Sequence, residues 1–396
     1  MNRQSRGSSS DLLQLLRETG PLSRTELARL SGLAASTVSL RIEELVAAGL
    51  VEEAGDGQSR GGRRPRLLRV RSGGGVALAA DLGTHHARLS VVDMAGVELA
   101  GDEVPVALDD GPEVVLGTIA DRLAEMALAQ NAKILGVGMG VPGPVEPVTG
   151  QVTSPSRMPG WHLMRVGEWL TERFDAPAAV DNDANLLALG EYRTRWAQTG
   201  VRHLVAVKIG RGIGCGIVAD GAVHHGANGA AGDISHVRAA TLDPDAMRLC
   251  GCGRRGCLET IASGATMLAE LAESGTKVAT TADIIEQVHR GDPAANLAVR
   301  TAGWHLGEVL AVVVNFFNPE VLVLGGSLAV AEPLVASLRA AIYERCLPMA
   351  SEAVNIVTAA DAPESGVRGA AWLILDRIAR GASGLSGAGG LSGAGA

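Results

Sequence analysis

The chain has few cysteines and no apolar leader. Only five of its 396 residues are cysteine, and it begins with the polar segment MNRQSRGSSS. No signal peptide and no apolar run of membrane length precedes the first patterned segment. A disulfide framework is therefore the weaker hypothesis, because disulfides belong mainly to secreted proteins. We expect a cytoplasmic protein with reduced thiols and no membrane partner.

Charge is unevenly distributed along the chain. A content of 46% hydrophobic and 20% charged residues is ordinary for a soluble protein, and the length predicts two or three domains. Residues 1–75 contain 12 Arg against 8 Asp plus Glu, a net charge of +4, which leaves −12 for the remainder of a chain whose total is −8. A basic head on an acidic body indicates a nucleic-acid-binding domain, with solvated surface charge as the alternative.

Three of the five cysteines lie close together, between His236 and Cys257. With His236 they form the pattern H-x13-C-x-C-x4-C, and the glycines between them allow a tight fold. The pattern predicts a structural zinc site whose four ligands are His236, Cys250, Cys252 and Cys257. Such a site positions a loop and leaves no vacant coordination place for catalysis. Ordinary buried thiols are the alternative hypothesis, and a sensor of metal or oxidant is a third.

Composition also suggests the domain boundaries. Ser72 to Gly75 is a candidate linker, and the segment from Gly381 contains no charged or aromatic residue. We predict a disordered N-terminus (1–10), a DNA-binding domain (11–71), a linker (72–75), an α/β body (76–380) that contains the knuckle 236–257, and a disordered tail (381–396).

The basic head has the pattern of a winged helix-turn-helix. A short amphipathic helix at 11–18 is followed by a capping box from Ser23 to Glu26, a helix closed by Gly32, and a third helix near Ser36. Two short strands then flank an arginine-rich loop with no acidic residue from Gln58 to Ser72. A small helical docking domain with a solvated loop is the alternative. The predicted DNA contacts are Ser36, Thr37, Ser39 and Arg41 on the third helix and Arg60, Arg63, Arg64 and Arg66 in the wing.

In the body, apolar strands end in glycine-rich loops. This pattern favours an α/β fold with sites at the strand ends, although each glycine loop taken alone is more often a simple turn. The order of the loops is more specific. They are Asp81-Leu82-Gly83-Thr84, Asp181-Asn182-Asp183-Ala184-Asn185, Gly210-Arg211-Gly212-Ile213-Gly214, Gly232-Asp233-Ile234-Ser235-His236, the cysteine cluster, and Gly325-Gly326.

These motifs closely resemble the ROK family, named for repressor, open reading frame and kinase. The resemblance covers about residues 10–380 and implies a two-lobed, actin-like ATPase (sugar kinase) fold, with sugar in the cleft between lobes. In this branch it implies a winged helix that binds operator DNA. The implied sugar-binding residues are Asn182, Asp183, Asp233 and His236, of which Asp183 matches the catalytic base and His236 also binds zinc. Asp233 stands where the family usually has glutamate. Without the resemblance, a loop cap or turn is the simplest role for Asp181 and Asp183.

The phosphate side departs from the kinase pattern. The resemblance implies phosphate loops at Asp81, Gly83, Thr84, Gly210, Gly212, Gly214, Gly325 and Gly326 if ATP binds. Kinases resemble D-x-G-G-T-K at the first loop, whereas here Thr84 replaces the second glycine and His85 replaces the threonine. Arg211 also stands where kinases commonly have threonine. We expect weakened ATP binding, so ATP and Mg²⁺ are cofactors only if the protein is an active kinase.

The leading hypothesis is a sugar-responsive transcriptional regulator, a repressor, that acts as a homodimer or homotetramer. Its effector is a sugar or sugar phosphate, and its second partner is operator DNA. Whether the effector releases or promotes DNA binding stays open at this point. The alternative is an ATP-dependent hexose or amino-sugar kinase with Asp183 as its base, in which the basic head is a secondary attachment or part of a bifunctional protein.

Overall fold

The computed structural model describes residues 8–56, 65–155, 158–239 and 247–385. The N-terminal domain has three helices and a three-stranded antiparallel sheet of order β1-β3-β2. The predicted capping box is confirmed, since Ser23 Oγ accepts from Glu26 N and the Glu26 carboxylate accepts from Ser23 N. Its elements are α1 Ser9–Thr19, β1 Leu22–Ser23, α2 Arg24–Ser31, α3 Ala35–Ala47, β2 Val51–Asp56 and β3 Arg66–Val70.

The first lobe of the body is built on a five-stranded sheet of order β10-β7-β4-β5-β6. Strands β4, β7 and β10 are parallel, so their carboxyl ends lie at the same edge. The elements are β4 Val76–Leu82, β5 His86–Asp93, β6 Glu98–Pro105, α4 Pro112–Ala129, β7 Ile134–Val141, β8 Val145–Glu146, β9 Gln151–Val152, α5 Val166–Phe174, β10 Ala178–Asn182 and α6 Asp183–Glu191.

The second lobe has a sheet of order β13-β12-β11-β14-β15, whose strands share one core cluster with the long helices α10 and α11. A π-helical turn, Tyr192–Trp196, continues α6 towards this lobe. The elements are β11 Leu204–Ile209, β12 Ile213–Ala219, β13 Ala222–Val223, α7 Glu259–Ala262, α8 Gly264–Glu273, α9 Thr281–His289, α10 Pro293–Phe317, β14 Val321–Gly325, α11 Glu332–Arg345, α12 Pro348–Ser351, β15 Asn355–Thr358 and α13 Ala362–Leu385. The predicted α/β fold with an N-terminal winged helix is confirmed.

Two helices join the parts of the molecule. Helix α6 contacts β11 and β12 of the second lobe and α13, while α13 returns to the first lobe and packs on β4 and β7. Helix α13 also packs against α1, so apolar residues of the N-terminal domain and of the first lobe form one core cluster. The N-terminal domain is therefore docked on the body.

The predicted disordered ends are shorter than expected. Ser8 caps α1, which begins at Ser9, so residues 8–10 are ordered. Helix α13 continues to Leu385, because the residues from Gly381 onwards include no proline to stop it. Residues 381–385 of the predicted tail are therefore helical, and 386–396 lie outside the described residues.

The candidate linker is structured. Residues Ser72–Gly74 form a 3₁₀ turn, and a Cβ on Gly75 would meet the Lys133 carbonyl oxygen at 2.5 Å. Since Gly75 has φ +138°, this close approach requires glycine.

Among the described residues, α10 alone is long and apolar enough to cross a membrane. Half of its most apolar window is buried within the second lobe, where Leu306, Leu310 and Val314 join the core. The core packing accounts for the buried half of this apolar window.

Candidate functional site

A cavity of about 900 Å³ lies between the two lobes. The strand ends of both sheets meet there, which brings together segments that are far apart in sequence. Most of the predicted site residues line it: Asp81, Gly83, Thr84, Asn182, Asp183, Gly210, Gly212, Gly214, Asp233, His236 and Gly326. Gly325 is not among the lining residues. It packs against Leu187, whose side chain a Cβ at Gly325 would meet at 2.7 Å.

Asn182 ends β10 and caps α6. Its Oδ1 accepts from Ala184 N at 2.9 Å, and its Nδ2 donates to the Gly143 carbonyl at 2.8 Å. Both polar groups of the side chain therefore have partners within the protein, although the residue lines the cavity. The sequence analysis gave a loop cap as the simplest role of Asp181 and Asp183. In the structure it is Asn182, between them, that caps the helix.

Asp183, the first residue of α6, lies beside a lysine that the sequence analysis missed. Lys208 Nζ lies 2.9 Å from Asp183 Oδ2 and 3.4 Å from Asp81 Oδ2, so one ammonium bridges the two carboxylates. Burial lowers the pKa of Lys208, but the two carboxylates outweigh it and raise the pKa overall. Burial also raises the pKa of Asp81. A lysine within the apolar strand LVAVKI was the available signal, because a charge there requires a partner.

Two of the three departures from the kinase pattern meet across the cleft. Arg211 Nη1 lies 3.4 Å from His85 Nε2, and both residues line the cavity. His85 belongs to the turn between β4 and β5, and Arg211 to the turn between β11 and β12. The phosphate side of the cleft therefore carries bulky side chains from both lobes. The site also fits Mg²⁺ poorly, because the carboxylates of Asp81 and Asp183 are already paired with the Lys208 ammonium.

Asp181 is buried, with 2% of its surface exposed, and bonds to Asn182 and Asn185, which line the cavity. Its Oδ1 accepts from Asn185 Nδ2 at 2.8 Å and from Asn182 N at 2.7 Å, while Oδ2 accepts from His225 Nε2 at 2.6 Å. His225 begins the loop that leads to Asp233, and sequence reasoning did not identify it. This contact ties the loop to the start of α6.

The His225 contact predicts a pH dependence. The hydrogen bond to Asp181 raises the pKa of His225 despite its partial burial. Because the folded pKa is raised, the stabilisation is fully present below about pH 6.5, the value for an unfolded histidine, and disappears as the pH rises through the folded pKa. We expect a contribution of about 1 kcal/mol at low pH, reduced for partial exposure. Thermal unfolding from pH 6 to 9 should show the loss in the native protein.

The matched variants are His225→Gln and His224→Gln. The first should flatten the pH profile, and the second, at the exposed neighbouring position, should leave it as in the native protein. Equal profiles for the native protein and His225→Gln would contradict the assignment.

The four predicted metal ligands converge. Their ligand atoms lie within 4.8 Å of one another. Cys252 Sγ lies 3.6 Å from Cys257 Sγ, and Cys250 Sγ lies 3.6 Å from His236 Nδ1. Ligands of a tetrahedral zinc at about 2.3 Å (S) and 2.1 Å (N) are separated by roughly 3.5–3.8 Å. The donor set and spacing fit a metal site of this kind.

The cysteine knuckle is joined to the cavity wall. Gly253 and Gly256 adopt positive φ angles, which the tight turn requires. Leu258 N donates to the Val237 carbonyl, and Glu259 N donates to the Ser235 carbonyl, both at 2.9 Å. The buried Glu259 carboxylate then accepts from Ile213 N at 3.0 Å and lines the cavity. Glu259 was also missed by the sequence analysis, although it directly follows the cluster.

The predicted DNA contacts lie partly within the described residues. On α3, Ser36 is exposed and Thr37 and Ser39 are partly exposed, whereas Arg41 pairs with Glu44 at 3.2 Å. In the wing, Arg66 pairs with Glu53 at 2.7 Å. Glu53 of β2 thus partly neutralises the charge of Arg66 at the start of β3. Arg60, Arg63 and Arg64 lie outside the described residues.

Comparison with known proteins agrees with this architecture. The ROK family model matches residues 77–377, and a model of winged helix-turn-helix DNA-binding domains matches residues 8–52. The chain is 32% identical over 352 residues to a putative xylose repressor of Caldicellulosiruptor sp. (strain Rt8B.4), covering 84% of this chain and 86% of the relative. It is 29% identical over 346 residues to the DNA-binding transcriptional dual regulator NagC of Escherichia coli (strain K12), covering 83% and 82%.

Among solved structures, the crystal structure of a ROK family transcriptional regulator, a homologue of the E. coli MLC protein, superposes with a TM-score of 0.78. It is 25% identical and covers 96% of this chain and 99% of its own. The similarity spans both the N-terminal domain and the two-lobed body. The chain therefore belongs to the ROK family and carries the N-terminal winged helix-turn-helix of its DNA-binding members.

Proposed function

We propose that the protein is a sugar-responsive transcriptional repressor, which binds operator DNA through its winged helix and a sugar or sugar phosphate in the cleft. The observation that carries this proposal is the bridge from Lys208 to Asp81 and Asp183. A general base must accept a proton from a substrate hydroxyl, and an ammonium at 2.9 Å disfavours that transfer. The cleft thus keeps groups that recognise hydroxyls and loses those that transfer phosphate. Action on DNA places the protein inside the cell.

Sugar hydroxyls would be bound by side chains on one side of the cavity. Asp183, Asp233 and His236 line it, and Asp233 Oδ1 accepts from Ser235 Oγ at 2.9 Å, which orients its carboxylate. Glu259 lines the same wall. Asn182 would contribute by capping α6, which fixes the position of Asp183, and by lining the cavity. A carboxylate accepts strong hydrogen bonds from hydroxyls, so this wall discriminates sugars by hydroxyl position.

We propose zinc as the metal of the cysteine knuckle. Three thiolates and one imidazole are the ligands that structural zinc prefers, and four protein ligands leave no open coordination position. Since His236 Nδ1 faces the thiols, Nε2 is the nitrogen that remains for a ligand in the cavity. The metal would thereby position His236 and, through Ser235 and Glu259, the wall behind it.

We further propose a homodimer formed through α10 and the segment after α11. Phe316 is 91% exposed and Met349 84% exposed, and Val312 and Leu347 beside them in sequence are also exposed. A set of large exposed apolar side chains indicates an interaction surface. A two-fold assembly would suit a palindromic operator.

A catalytic sugar kinase is the second candidate, favoured by the position of Asp183 in the cleft. In that case Asp183 would be the base. The altered phosphate loops and Lys208 oppose it.

The proposed function predicts that a sugar changes operator affinity. Thermal shift of the full chain against D-xylose, D-glucose and N-acetylglucosamine, each free and 6- or 5-phosphorylated, should identify a stabilising compound. That compound should change the Kd for DNA from the protein's own upstream region by about 10-fold or more. Fluorescence anisotropy measures this Kd.

The double variant Ser36→Ala/Thr37→Ala should weaken DNA binding and leave the sugar-induced thermal shift unchanged. A compound that binds the protein without changing its affinity for this DNA would refute the proposed role as a regulator.

A further inference from the structure

Two helices extend from the ligand cleft to the winged helix. Helix α6 begins in the cleft at Asp183, and the π-helical turn continues it to Arg193, roughly 15 Å further along its axis. Helix α13 also begins at the cleft, where Pro363 lines the cavity and a Cβ on Gly366 would overlap the Asp81 carboxylate. Both helices therefore have one end in contact with the ligand site.

The two helices pack with their backbones in contact. A Cβ on Gly190 of α6 would overlap the Ser365 carbonyl oxygen, and a Cβ on Gly369 of α13 would overlap the Leu186 carbonyl oxygen. Ser365 Oγ also donates to the buried Glu191 carboxylate at 2.6 Å. Because close-packed interiors transmit displacement, the two helices should move together.

At their far ends lies a buried charge cluster that includes the DNA-binding domain. Arg193 Nη1 donates to Glu18 Oε1 of α1 at 3.1 Å, and Nη2 donates to Asp376 Oδ2 of α13 at 3.1 Å. Arg17 of α1 lies 3.7 Å from Asp376 and donates through Nε to the Met94 carbonyl at 2.9 Å. The Arg193 and Arg17 side chains are 6% and 0% exposed.

This cluster is incompletely satisfied. Within the described part of the chain, Arg193 Nε and both terminal nitrogens of Arg17 are buried without a hydrogen-bond partner. Such atoms are costly, so a small displacement of α1 relative to α6 and α13 changes the energy of the cluster strongly. The π-helical turn that carries Arg193 is itself a type of irregularity frequent at functional positions.

We propose that Arg193 couples the cleft to the winged helix, holding α1 through Glu18 and α13 through Asp376 while α6 responds to ligand. The proposal rests on the proposed function, because the signal is a ligand in the cleft and the output is the position of the DNA-binding domain. Ligand binding that shifts α6 and α13 alters the pairing of Arg193 and so biases the position of α1. Shifts of a helix by one or two ångströms are a common form of such transitions.

Hydrogen exchange of the full chain tests the coupling. The probe is the compound from the sugar panel that shifts thermal unfolding most, and the reporter is exchange in residues 8–19. In the native protein the probe should change α1 exchange by about fivefold or more. In Arg193→Met the change should fall below about twofold, while the Kd for the sugar stays within about threefold of native. Arg193→Lys, which keeps the charge, should restore part of the response.

Arg195→Met is the matched control. Arg195 lies in the same π-helical turn but bonds to Glu191 and the Thr358 carbonyl, away from the winged helix. This variant should keep the native response. The coupling is overturned if Arg193→Met keeps the full response, or if both variants lose it equally, since equal loss indicates general destabilisation.

A second arm separates this proposal from the proposed function. If no compound binds the native protein, the proposed function fails, and Asp183→Asn replaces the sugar as the perturbation at the start of α6. A change in α1 exchange caused by Asp183→Asn, and removed by adding Arg193→Met, would support the coupling without a ligand. Unchanged hydrogen exchange of α1 in Asp183→Asn would refute the coupling.

Discussion

With Mg²⁺-ATP and glucose, mannose, N-acetylglucosamine or xylose, the purified protein is expected to release ADP at least about 1000-fold more slowly than the roughly 1–100 per second of active kinases. Lys208 Nζ lies 2.9 Å from Asp183 and 3.4 Å from Asp81, so the candidate base is paired and an ammonium occupies the space between the two carboxylates. The contact between His85 and Arg211 further alters the phosphate side. A coupled ADP-release assay measures the rate.

Asp183→Ala is the control for that assay. Any slow ADP release by the native protein should be unchanged in this variant if it arises from a contaminant. Turnover above about 1 per second that Asp183→Ala abolishes would overturn the hypothesis of a regulator without kinase activity.

Loss of the proposed zinc should have the second large effect. Cys257→Ser, at a buried ligand position, is expected to abolish metal binding and to weaken sugar affinity by about 10-fold or more, because the knuckle positions His236 and Glu259. Metal content is measured by elemental analysis, and sugar affinity by calorimetry with the compound identified in the thermal-shift panel. Chelation of the native protein should reproduce both effects.

Cys346→Ser is the matched control, since this buried thiol lies apart from the cluster and donates to the Ala311 carbonyl. It should keep both metal and sugar affinity. A metal-free Cys257→Ser protein with native sugar affinity would contradict the positioning role. DNA binding that follows zinc concentration without any sugar would instead favour a metal sensor.

Much of the site was predictable because its signals are local. The proposed metal ligands occupy one short segment in which glycines permit convergence, and the aspartates follow strands whose ends meet at one sheet edge. The role of Asn182 was harder to predict, because a side chain at that position can either cap α6 or face the cavity. The structure shows that both of its polar groups are engaged within the protein.

The exposed surface of the winged helix was predicted less well. The wing segment from Gln58 to Ser72 has no acidic residue, yet Glu52 and Glu53 of the neighbouring strand pair with Arg69 and Arg66. A count of charge along the chain cannot detect a partner that lies across a β-hairpin. These ion pairs are exposed and therefore weak in water, so the contacts of the wing arginines with DNA stay a prediction.

The sequence by itself determined the capping box at Ser23, because it depends on residues three positions apart, and the family, because its motifs occur in a specific order along the chain. It also predicted that the cysteines converge, since they lie within one segment rich in glycine. Only the tertiary structure decided what Lys208 does, since its partner Asp81 is 127 positions away on the other lobe. It also decided that Arg193 lies against Glu18, 175 positions earlier. Contacts of this range depend on which strands and helices become neighbours. Local periodicity contains no information on that choice.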